Sequence, residues 1–326
     1  MTALLAVEDL SVSFATPEGP ARAVDGLTLH IDDGETVGLV GESGCGKTVT
    51  ALAVLGLLGG GATVAPASRV LFRERDLLRL PFEELRRVRG AEIAMVFQDP
   101  GASLNPVLRI GLQVAEVLMT HRDMSRAQAW RRAEELLETV GLADAARVAR
   151  AYPHELSGGM QQRVMIATAI ACEPALLIAD EPTTALDVTI QAQVLELLVN
   201  LRERLGMAML LITHDLGVVA GVTDRVAVMY GGEIVEVAPT PELFAAPRHP
   251  YTEALLAAVP RIDQPDALPR PIPGQVPPAT RWPSGCRFHP RCAQAMTACT
   301  TAPPLVELAS RHTARCWLHA DGESTP

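Results

Sequence analysis

Lysine is almost absent from this chain of 326 residues. Lysine and arginine together number 28, and only one of them, Lys47, is a lysine. Arginine therefore supplies the positive side-chain charge at every other site. The lysine ammonium group is a compact point charge, unlike the planar arginine fork. We infer that position 47 requires such a compact group.

An excess of basic residues is also lacking. The formal net charge is -10, which argues against a protein that holds nucleic acid through phosphate contacts. The first residues, MTALLAVEDLSVSF, contain no positive region and reach Glu8 and Asp9 at once, so no secretory signal is predicted and the chain is expected to start in the cytosol. Hydrophobic residues make up 48% of the chain, which excludes a disordered or fibrous class.

One long stretch without charge matches a membrane span in length. It covers residues 48–68, TVTALAVLGLLGGGATVAPAS. Three consecutive glycines and Pro66 interrupt it, and a glycine-rich motif stands directly before it. The stretch therefore predicts a buried helix followed by a loop.

The glycine-rich motif surrounds the single lysine. Residues 41–48, GESGCGKT, match G-x-x-x-x-G-K-T between a predicted strand over 36–40 and a helix from about Gly46. Glycines let backbone N–H groups curl around a phosphate, and the helix N-terminus adds its positive dipole end. Lys47 can then reach the outer phosphates while Thr48 binds magnesium. The motif predicts a nucleotide phosphate site.

Two apolar segments end in polar residues. PALLIADEP predicts a buried strand ending at Asp180 and Glu181, and MAMLLITHD predicts another ending at Thr213 and His214. Open parallel α/β sheets place their ligands at the carboxyl ends of strands. Asp180 is placed to hold a magnesium shell, and Glu181 is the candidate base for an attacking water.

A third motif is LSGGMQQR, residues 156–163. Ser157, Gly158 and Gly159 begin a predicted helix whose N–H groups have no phosphate loop of their own. The three motifs together resemble the ATP-binding subunit of ATP-binding cassette (ABC) transporters, in which the signature of one subunit closes over the nucleotide held by another. The resemblance spans nearly the whole chain. It implies an α/β ABC-type nucleotide-binding domain, with a RecA-like parallel-sheet core, an antiparallel β subdomain and a helical signature subdomain.

The resemblance assigns roles to individual residues. Phe14 is placed like the aromatic that stacks on adenine, Gln98 like the glutamine that contacts magnesium, and His214 like the switch histidine at the γ-phosphate. The implied ATP-binding residues are Phe14, Gly41, Glu42, Ser43, Gly44, Cys45, Gly46, Lys47, Thr48, Thr50, Gln98 and His214. Catalysis is assigned to Glu181, His214 and Lys47, and Mg2+ binding to Thr48, Gln98 and Asp180. Asp187 is implied to lie at the interface with a partner subunit. The residues implied to bind the ATP of that partner are Ser157, Gly158, Gly159, Met160 and Gln161.

Several segments resemble the dipeptide and oligopeptide import subfamily. They include FQDPGASLNPV, SGGMQQRVMIATAIACEP and above all RHPYTEALLAAVPR, residues 248–261. SGGM and VTALAVLGLL are more similar to the D-type subunit than to its F-type partner. The resemblance implies an ATPase at the cytoplasmic face of the inner membrane that powers peptide import. Its implied partners are an F-type ATPase subunit, two permease subunits and an external substrate-binding protein, with no nucleic acid.

Other functions stay open at the level of sequence. Importers of nickel, oligosaccharides and glutathione use similar subunits. Soluble cassette proteins of DNA repair or translation share the ATP motifs, but they typically carry two cassettes or a coiled-coil insertion, and neither is seen here. An ATPase regulated by redox state is a further alternative.

The composition changes after Val237, where prolines become frequent. We therefore predict a nucleotide-binding domain over residues 1–240, with its helical subdomain at about 100–165, and a loop-rich C-terminal extension over 241–326.

Four of the six cysteines lie in this extension: Cys286, Cys292, Cys299 and Cys316. Structural disulfides are disfavoured because cytosolic thiols are kept reduced. Close C-x2-C pairs typical of four-thiolate zinc sites are absent. An iron–sulfur cluster also takes four thiolates and accepts wider spacings. We favour a 4Fe-4S cluster, with zinc and unligated thiols as alternatives.

Overall fold

The computed structural model describes residues 3–184, 186–259 and 270–320. The strands are β1 (Leu5–Thr16), β2 (Gly19–Ile31), β3 (Thr36–Val40), β4 (Ala62–Val64), β5 (Arg69–Phe72), β6 (Arg75–Asp76), β7 (Ile93–Val96), β8 (Leu176–Asp180), β9 (Ala208–Thr213), β10 (Arg225–Tyr230), β11 (Glu233–Pro239), β12 (Leu305–Ala309) and β13 (His312–Arg315). The α-helices are α1 (Lys47–Val54), α2 (Phe82–Val88), α3 (Pro100–Ser103), α4 (Ile110–His121), α5 (Arg126–Thr139), α6 (Ala145–Arg150), α7 (Gly158–Ala169), α8 (Val188–Leu205), α9 (Leu216–Ala220), α10 (Thr240–Ala245) and α11 (Pro250–Ala257).

The chain divides into two compact units. The first comprises residues 1–31, 36–79 and 213–326, and the second comprises 32–35 and 80–212. The first unit contains an antiparallel sheet in the order β2-β1-β5-β6, with β4 beside β1. It also contains β3 and β10 as a parallel pair, which β11 continues in antiparallel fashion. The antiparallel sheet and the parallel pairing agree with the predicted fold class.

The parallel pair is apolar along its whole length. Every residue of β3 and of β10 is buried, as expected for strands covered on both faces. A two-residue turn joins β10 to β11, and both of its residues, Gly231 and Gly232, have positive φ. Glycine adopts that conformation without a steric penalty, so the Gly-Gly pair fixes the predicted hairpin.

The second unit combines three parallel strands with a group of helices. Strands β7, β8 and β9 pair in that order, and every residue of each is buried. Helix α5 begins at the capping box that Ser125 and Gln128 form, with both reciprocal hydrogen bonds present. Helix α7 begins after Ser157, whose hydroxyl accepts a hydrogen bond from the Met160 N–H. The sequence predicted the buried strands β8 and β9 and the start of α7.

The uncharged stretch over residues 48–68 folds as expected. Helix α1 forms its first part and buries Ala51, Ala53 and Val54. A loop that contains the short strand β4 follows. Among the described residues, no helix is both long and apolar enough to span a bilayer.

The segment after β11 adds strands as well as loops. Strand β13 pairs with β11 in an antiparallel register that sets Ala314 opposite Glu236, and β12 pairs with β13. Aromatic rings join the same segment to β10. Tyr251 and Phe288 lie against Tyr230 with ring centroids 4.6 and 5.2 Å from it, in edge-on arrangements. Residues 260 and 261, at the end of RHPYTEALLAAVPR, lie outside the described residues.

Candidate functional site

The single lysine lies beneath the glycine-rich loop. Lys47 is 5% exposed, and its Nζ donates hydrogen bonds to the carbonyls of Gly41 at 2.8 Å and Glu42 at 3.1 Å. The ammonium group is thus held by the backbone of the loop it follows. A guanidinium is larger and planar, so arginine would not fit this enclosed position.

The loop leads into helix α1 without a side-chain cap. Gly46 occupies the N-cap position with φ of 109°, and no side chain accepts a hydrogen bond from the first turn. The N–H groups of a first helical turn have no acceptor inside the helix, and they lie at the positive end of its dipole. Ser43, Gly44 and Thr48 are exposed around these donors, whereas Cys45 is buried. This end of the helix suits a phosphate group.

Two glycines of this loop, Gly41 and Gly46, are required by close approach of the backbone. A Cβ at Gly41 would lie 2.1 Å from the carbonyl oxygen of Met229, and one at Gly46 would lie 2.4 Å from that of Ala23. Thr50 is buried, and its hydroxyl donates to the Gly46 carbonyl at 3.0 Å, so it ties the first helical turn to the loop. No larger residue at 41 or 46 is compatible with this conformation.

The second unit gathers a polar group at the end of β8. Asp180 is the last residue of that strand and is 2% exposed. Glu181 follows with φ of 45°, a left-handed conformation that is uncommon for a residue other than glycine. Its Oε2 accepts hydrogen bonds from Gln98 Nε2 and Thr184 Oγ1, both at 2.9 Å. The structure therefore brings Gln98 and Glu181 together.

Thr184 was not singled out by the sequence reasoning. Its hydroxyl orients the Glu181 carboxylate from three residues away. The available signal was the DEPTTALD segment, where a hydroxyl follows the second carboxylate at turn spacing. Gln98 and Thr184 together leave Glu181 with a fixed carboxylate orientation.

The other predicted residues occupy positions of several kinds. Phe14 is half-buried in β1, opposite Ala21 of β2 and Ala62 of β4. His214 is exposed directly after β9. Asp187 is exposed at the N-cap of α8, where its carboxylate accepts from the Ile190 N–H at 2.9 Å.

The signature residues lie at the exposed start of α7. Ser157 and Gly158 are exposed, and Gly159, Met160 and Gln161 are half-buried. Gln161 Nε2 donates to the carbonyl of Pro153 at 2.8 Å, which fixes the approach to the helix. The helix thus presents its first N–H groups at the surface of the second unit.

Comparisons with known proteins cover nearly the whole chain. The ABC transporter family model matches residues 24–184, and the model of the oligopeptide/dipeptide transporter C-terminal region matches 235–299. The oligopeptide transport ATP-binding protein AppD of Bacillus subtilis is 49% identical over 98% of both chains. The dipeptide transport ATP-binding protein DppD of the same organism is 47% identical over 98% of this chain and 95% of its own. The oligopeptide transport ATP-binding protein OppD of Escherichia coli is 48% identical over 97% and 93%.

The chain belongs to the ATP-binding subunits of oligopeptide and dipeptide ABC transporters. Its fold is similar to that of solved cassettes. The ATP-binding cassette MJ0796, solved as a dimer bound to ADP and Pi, has a TM-score of 0.65 and 29% identity and covers 72% of this chain and 98% of its own. The fold and the family together make the protein an ABC ATPase, as predicted from the motifs.

The four cysteines of the C-terminal segment line one small cavity in the first unit: Cys286, Cys292, Cys299 and Cys316. Burial raises the pKa of three of these thiols above the ordinary value, and that of Cys286 to about 11. Across residues 3–184, 186–259 and 270–320, no three His, Cys, Asp or Glu side chains are arranged to hold a metal ion. The predicted zinc or iron–sulfur site is therefore not confirmed, although the cysteines do come together.

Proposed function

We propose that this protein hydrolyses ATP to drive peptide import across the cytoplasmic membrane. The phosphate loop carries the proposal, because the chain's only lysine is enclosed beneath it and an uncapped helix follows. Similarity over nearly the full length to ATP-binding proteins named for oligopeptide and dipeptide transport supports the substrate class.

In this proposal the phosphate loop binds the ATP phosphates. Backbone N–H groups of the phosphate loop face the phosphates, and Lys47 exchanges its carbonyl contacts for the outer phosphate oxygens. Phe14 stacks on adenine, and His214 contacts the γ-phosphate. Thr48, Gln98 and Asp180 would hold Mg2+, which would supply positive charge to neutralise the phosphates.

Glu181 then acts on the water. Its Oε2 is oriented by Gln98 and Thr184, and the carboxylate takes the proton from the attacking water as general base. Because hydrolysis of a phosphoanhydride depends mostly on positioning and charge stabilisation, one oriented carboxylate is sufficient.

The ATP site is completed by a second subunit. This chain carries one phosphate loop and one signature, so the signature residues 157–161 serve the nucleotide of a partner, and Asp187 lies at the interface. The D-type character of the sequence favours an F-type subunit as partner. Closure on ATP and opening after hydrolysis would drive two permease subunits between two states, with an external binding protein supplying the peptide.

Co-expression with the neighbouring genes tests this assignment. Membranes from cells that express the permeases and a second cassette should retain the chain at their cytoplasmic face, and the purified complex should hydrolyse ATP. Uptake of labelled di- and oligopeptides should depend on Lys47, with nickel, oligosaccharide and glutathione uptake as comparisons. Uptake of one of those substrates in place of peptides would overturn the peptide assignment. Copurification with nucleic acid instead of permeases would overturn the transport assignment.

We also propose a 4Fe-4S cluster, rather than a zinc ion, as the ligand of Cys286, Cys292, Cys299 and Cys316. The four thiols line one cavity, and their wide spacing in the sequence suits a cluster better than a single zinc ion. A cluster would cross-link this segment through four thiolates. Since the pKa of Cys286 is about 11, binding displaces its proton.

Iron analysis tests the cluster. Protein purified without oxygen should be brown and contain iron and sulfide, and Cys299→Ser should lose both. Cys172→Ser is the matched control, because Cys172 is buried outside this cavity. Equimolar zinc without iron, or neither metal, would contradict the proposal.

A further inference from the structure

A residue of the C-terminal segment binds the phosphate loop directly. Arg291 lies in a short turn next to Cys292, and its guanidinium donates two hydrogen bonds to the Glu42 carboxylate. The bonds run from Nη1 to Oε2 at 2.7 Å and from Nη2 to Oε1 at 3.0 Å. A paired fork of this kind fixes orientation as well as adding attraction. Glu42 occupies a variable position of the loop motif, 249 residues earlier in the sequence.

A second residue of the same segment holds the backbone of Glu42. The Glu42 N–H donates to Tyr251 Oη at 2.9 Å, and Tyr251 is fully buried in α11. Both the side chain and the amide of Glu42 are therefore held by residues that follow β11. The carbonyl of the same residue accepts from Lys47 Nζ at 3.1 Å. A chain of contacts thus runs from Arg291 and Tyr251 through Glu42 to the lysine.

The environment makes these contacts rigid. Arg291 is 8% exposed, and its remaining donors reach the carbonyl of Pro273 at 2.9 Å and Tyr230 Oη at 3.3 Å. Phe288 packs edge-on against Tyr230, and Tyr251 is in contact with both rings. The side-chain bonds to Glu42 raise the pKa of Arg291 above its ordinary value, so the guanidinium stays charged. Burial limits competition from water for the Glu42 carboxylate.

We propose that Arg291 and Tyr251 are positioning residues for ATP binding, which hold Glu42 and thereby set the geometry of the phosphate loop. This proposal rests on the proposed function of the loop. The C-terminal segment then acts on the ATPase of its own chain. Loss of either contact lets the loop leave the conformation in which its N–H groups and Lys47 converge, so ATP binding weakens while the catalytic carboxylate is untouched.

Nucleotide affinity of the purified full-length chain tests the proposal. The variants are Glu42→Gln and Tyr251→Phe, each of which removes one contact and keeps the size of the side chain. Mg-ATP dissociation constants should rise about tenfold in each. In the assembled transporter, the KM for ATP should rise by a similar factor with little change in kcat. Arg291→Lys, which retains charge but loses the paired fork, should fall between wild type and Arg291→Gln.

His312→Gln is the matched control. The His312 ring contacts Glu236 Oε1 through Nε2 at 2.9 Å, so it joins the C-terminal segment to β11 rather than to Glu42. This variant should lower the melting temperature and leave ATP affinity within about twofold of wild type.

The double variant Glu42→Gln with Arg291→Gln should weaken binding by less than the product of the single effects, because both remove the same pair.

Unchanged ATP affinity in folded Glu42→Gln and Tyr251→Phe would overturn the proposal, as would an equal loss in His312→Gln. If Arg291→Gln does not fold, the ATP affinity of Glu42→Gln decides the question, because Glu42 is the partly exposed member of the same pair. Lys47→Ala tests the proposed function of the loop separately from the positioning role of Arg291 and Tyr251. If Lys47→Ala binds ATP normally, the assignment of the phosphate loop itself fails.

Discussion

The side-chain amide of Gln98 donates a hydrogen bond to Glu181, with Nε2 and Oε2 2.9 Å apart. Thr184 donates to the same oxygen, so the two bonds fix the direction of the carboxylate. Glu181 holds this position with positive φ. A strained backbone conformation at the end of a strand is a cost that proteins accept at functional sites.

Glu181→Gln should abolish turnover without loss of ATP binding. The amide keeps the shape of the side chain but cannot accept a proton, so the ATPase rate of the assembled complex should fall about a hundredfold or more. Nucleotide affinity should stay near that of wild type. Glu173→Gln is the control, because Glu173 also has positive φ and an exposed carboxylate. Equal ATPase rates in Glu181→Gln and wild type would remove Glu181 from the reaction.

The single lysine allows a direct test of the phosphate loop. An amine-reactive reagent should label one side chain, Lys47, besides the N-terminal amine, and saturating Mg-ATP should slow the labelling of Lys47 at least about fivefold. Mass spectrometry distinguishes the two sites, and the N-terminal amine serves as internal control. Equal labelling rates of Lys47 with and without ATP would show that the nucleotide does not cover it.

Two glycines with positive φ should respond differently to alanine. Gly206→Ala meets no neighbouring atom and should cost about 1 kcal/mol of unfolding free energy, from the left-handed conformation alone. Gly46→Ala adds a contact of 2.4 Å to the Ala23 carbonyl, so the loss should be about 3 kcal/mol or more. Denaturant unfolding measures both. Similar losses in the two variants would show that the loop accommodates a Cβ.

His249 should make the protein less stable in acid. Burial, with a smaller contribution from charge repulsion by His319, lowers its pKa from 6.5 to about 3. The unfolded chain therefore takes up a proton below pH 6.5 that the native chain refuses. Stability from this residue falls as pH decreases from about 6 to 4, by up to about 1.4 kcal/mol per pH unit.

The variant His249→Asn isolates this effect. Asparagine can still accept from the Tyr251 N–H, as the His249 Nδ1 does at 3.0 Å, so the start of α11 is preserved. Glu236 accepts the backbone N–H of residue 249 in both proteins. Unfolding free energies measured between pH 7 and pH 4 should show a shallower decline in the variant. Parallel curves would mean that His249 is protonated in the native state.

Local sequence patterns predicted the elements that carry the motifs. The apolar run before Asp180 is a fully buried strand, and α7 begins after Ser157, because each depends on neighbours within a few residues. The same holds for the uncapped start of α1. Grouping the four cysteines in one candidate site also agreed with the cavity they share, although its ligand did not follow from their spacing.

Contacts between distant segments were not predictable in this way. No pattern in the C-terminal segment indicated that β13 would pair with β11 or that Arg291 would reach Glu42. Arginine is the common basic residue throughout this chain, so its type gave no signal. The pairing depends on how Tyr230, Tyr251 and Phe288 pack, which is a property of the folded core.

In the phosphate-loop motif, position 42 is written as x, a place where any residue is allowed. The fork from Arg291 removes that freedom in this chain, because a residue at 42 without a carboxylate leaves a buried guanidinium unpaired. Positions 42 and 291 should therefore change together among relatives: where the glutamate is replaced, the arginine should be replaced as well. A phosphate loop transferred from another cassette could keep the motif intact and still leave Arg291 without a carboxylate at position 42.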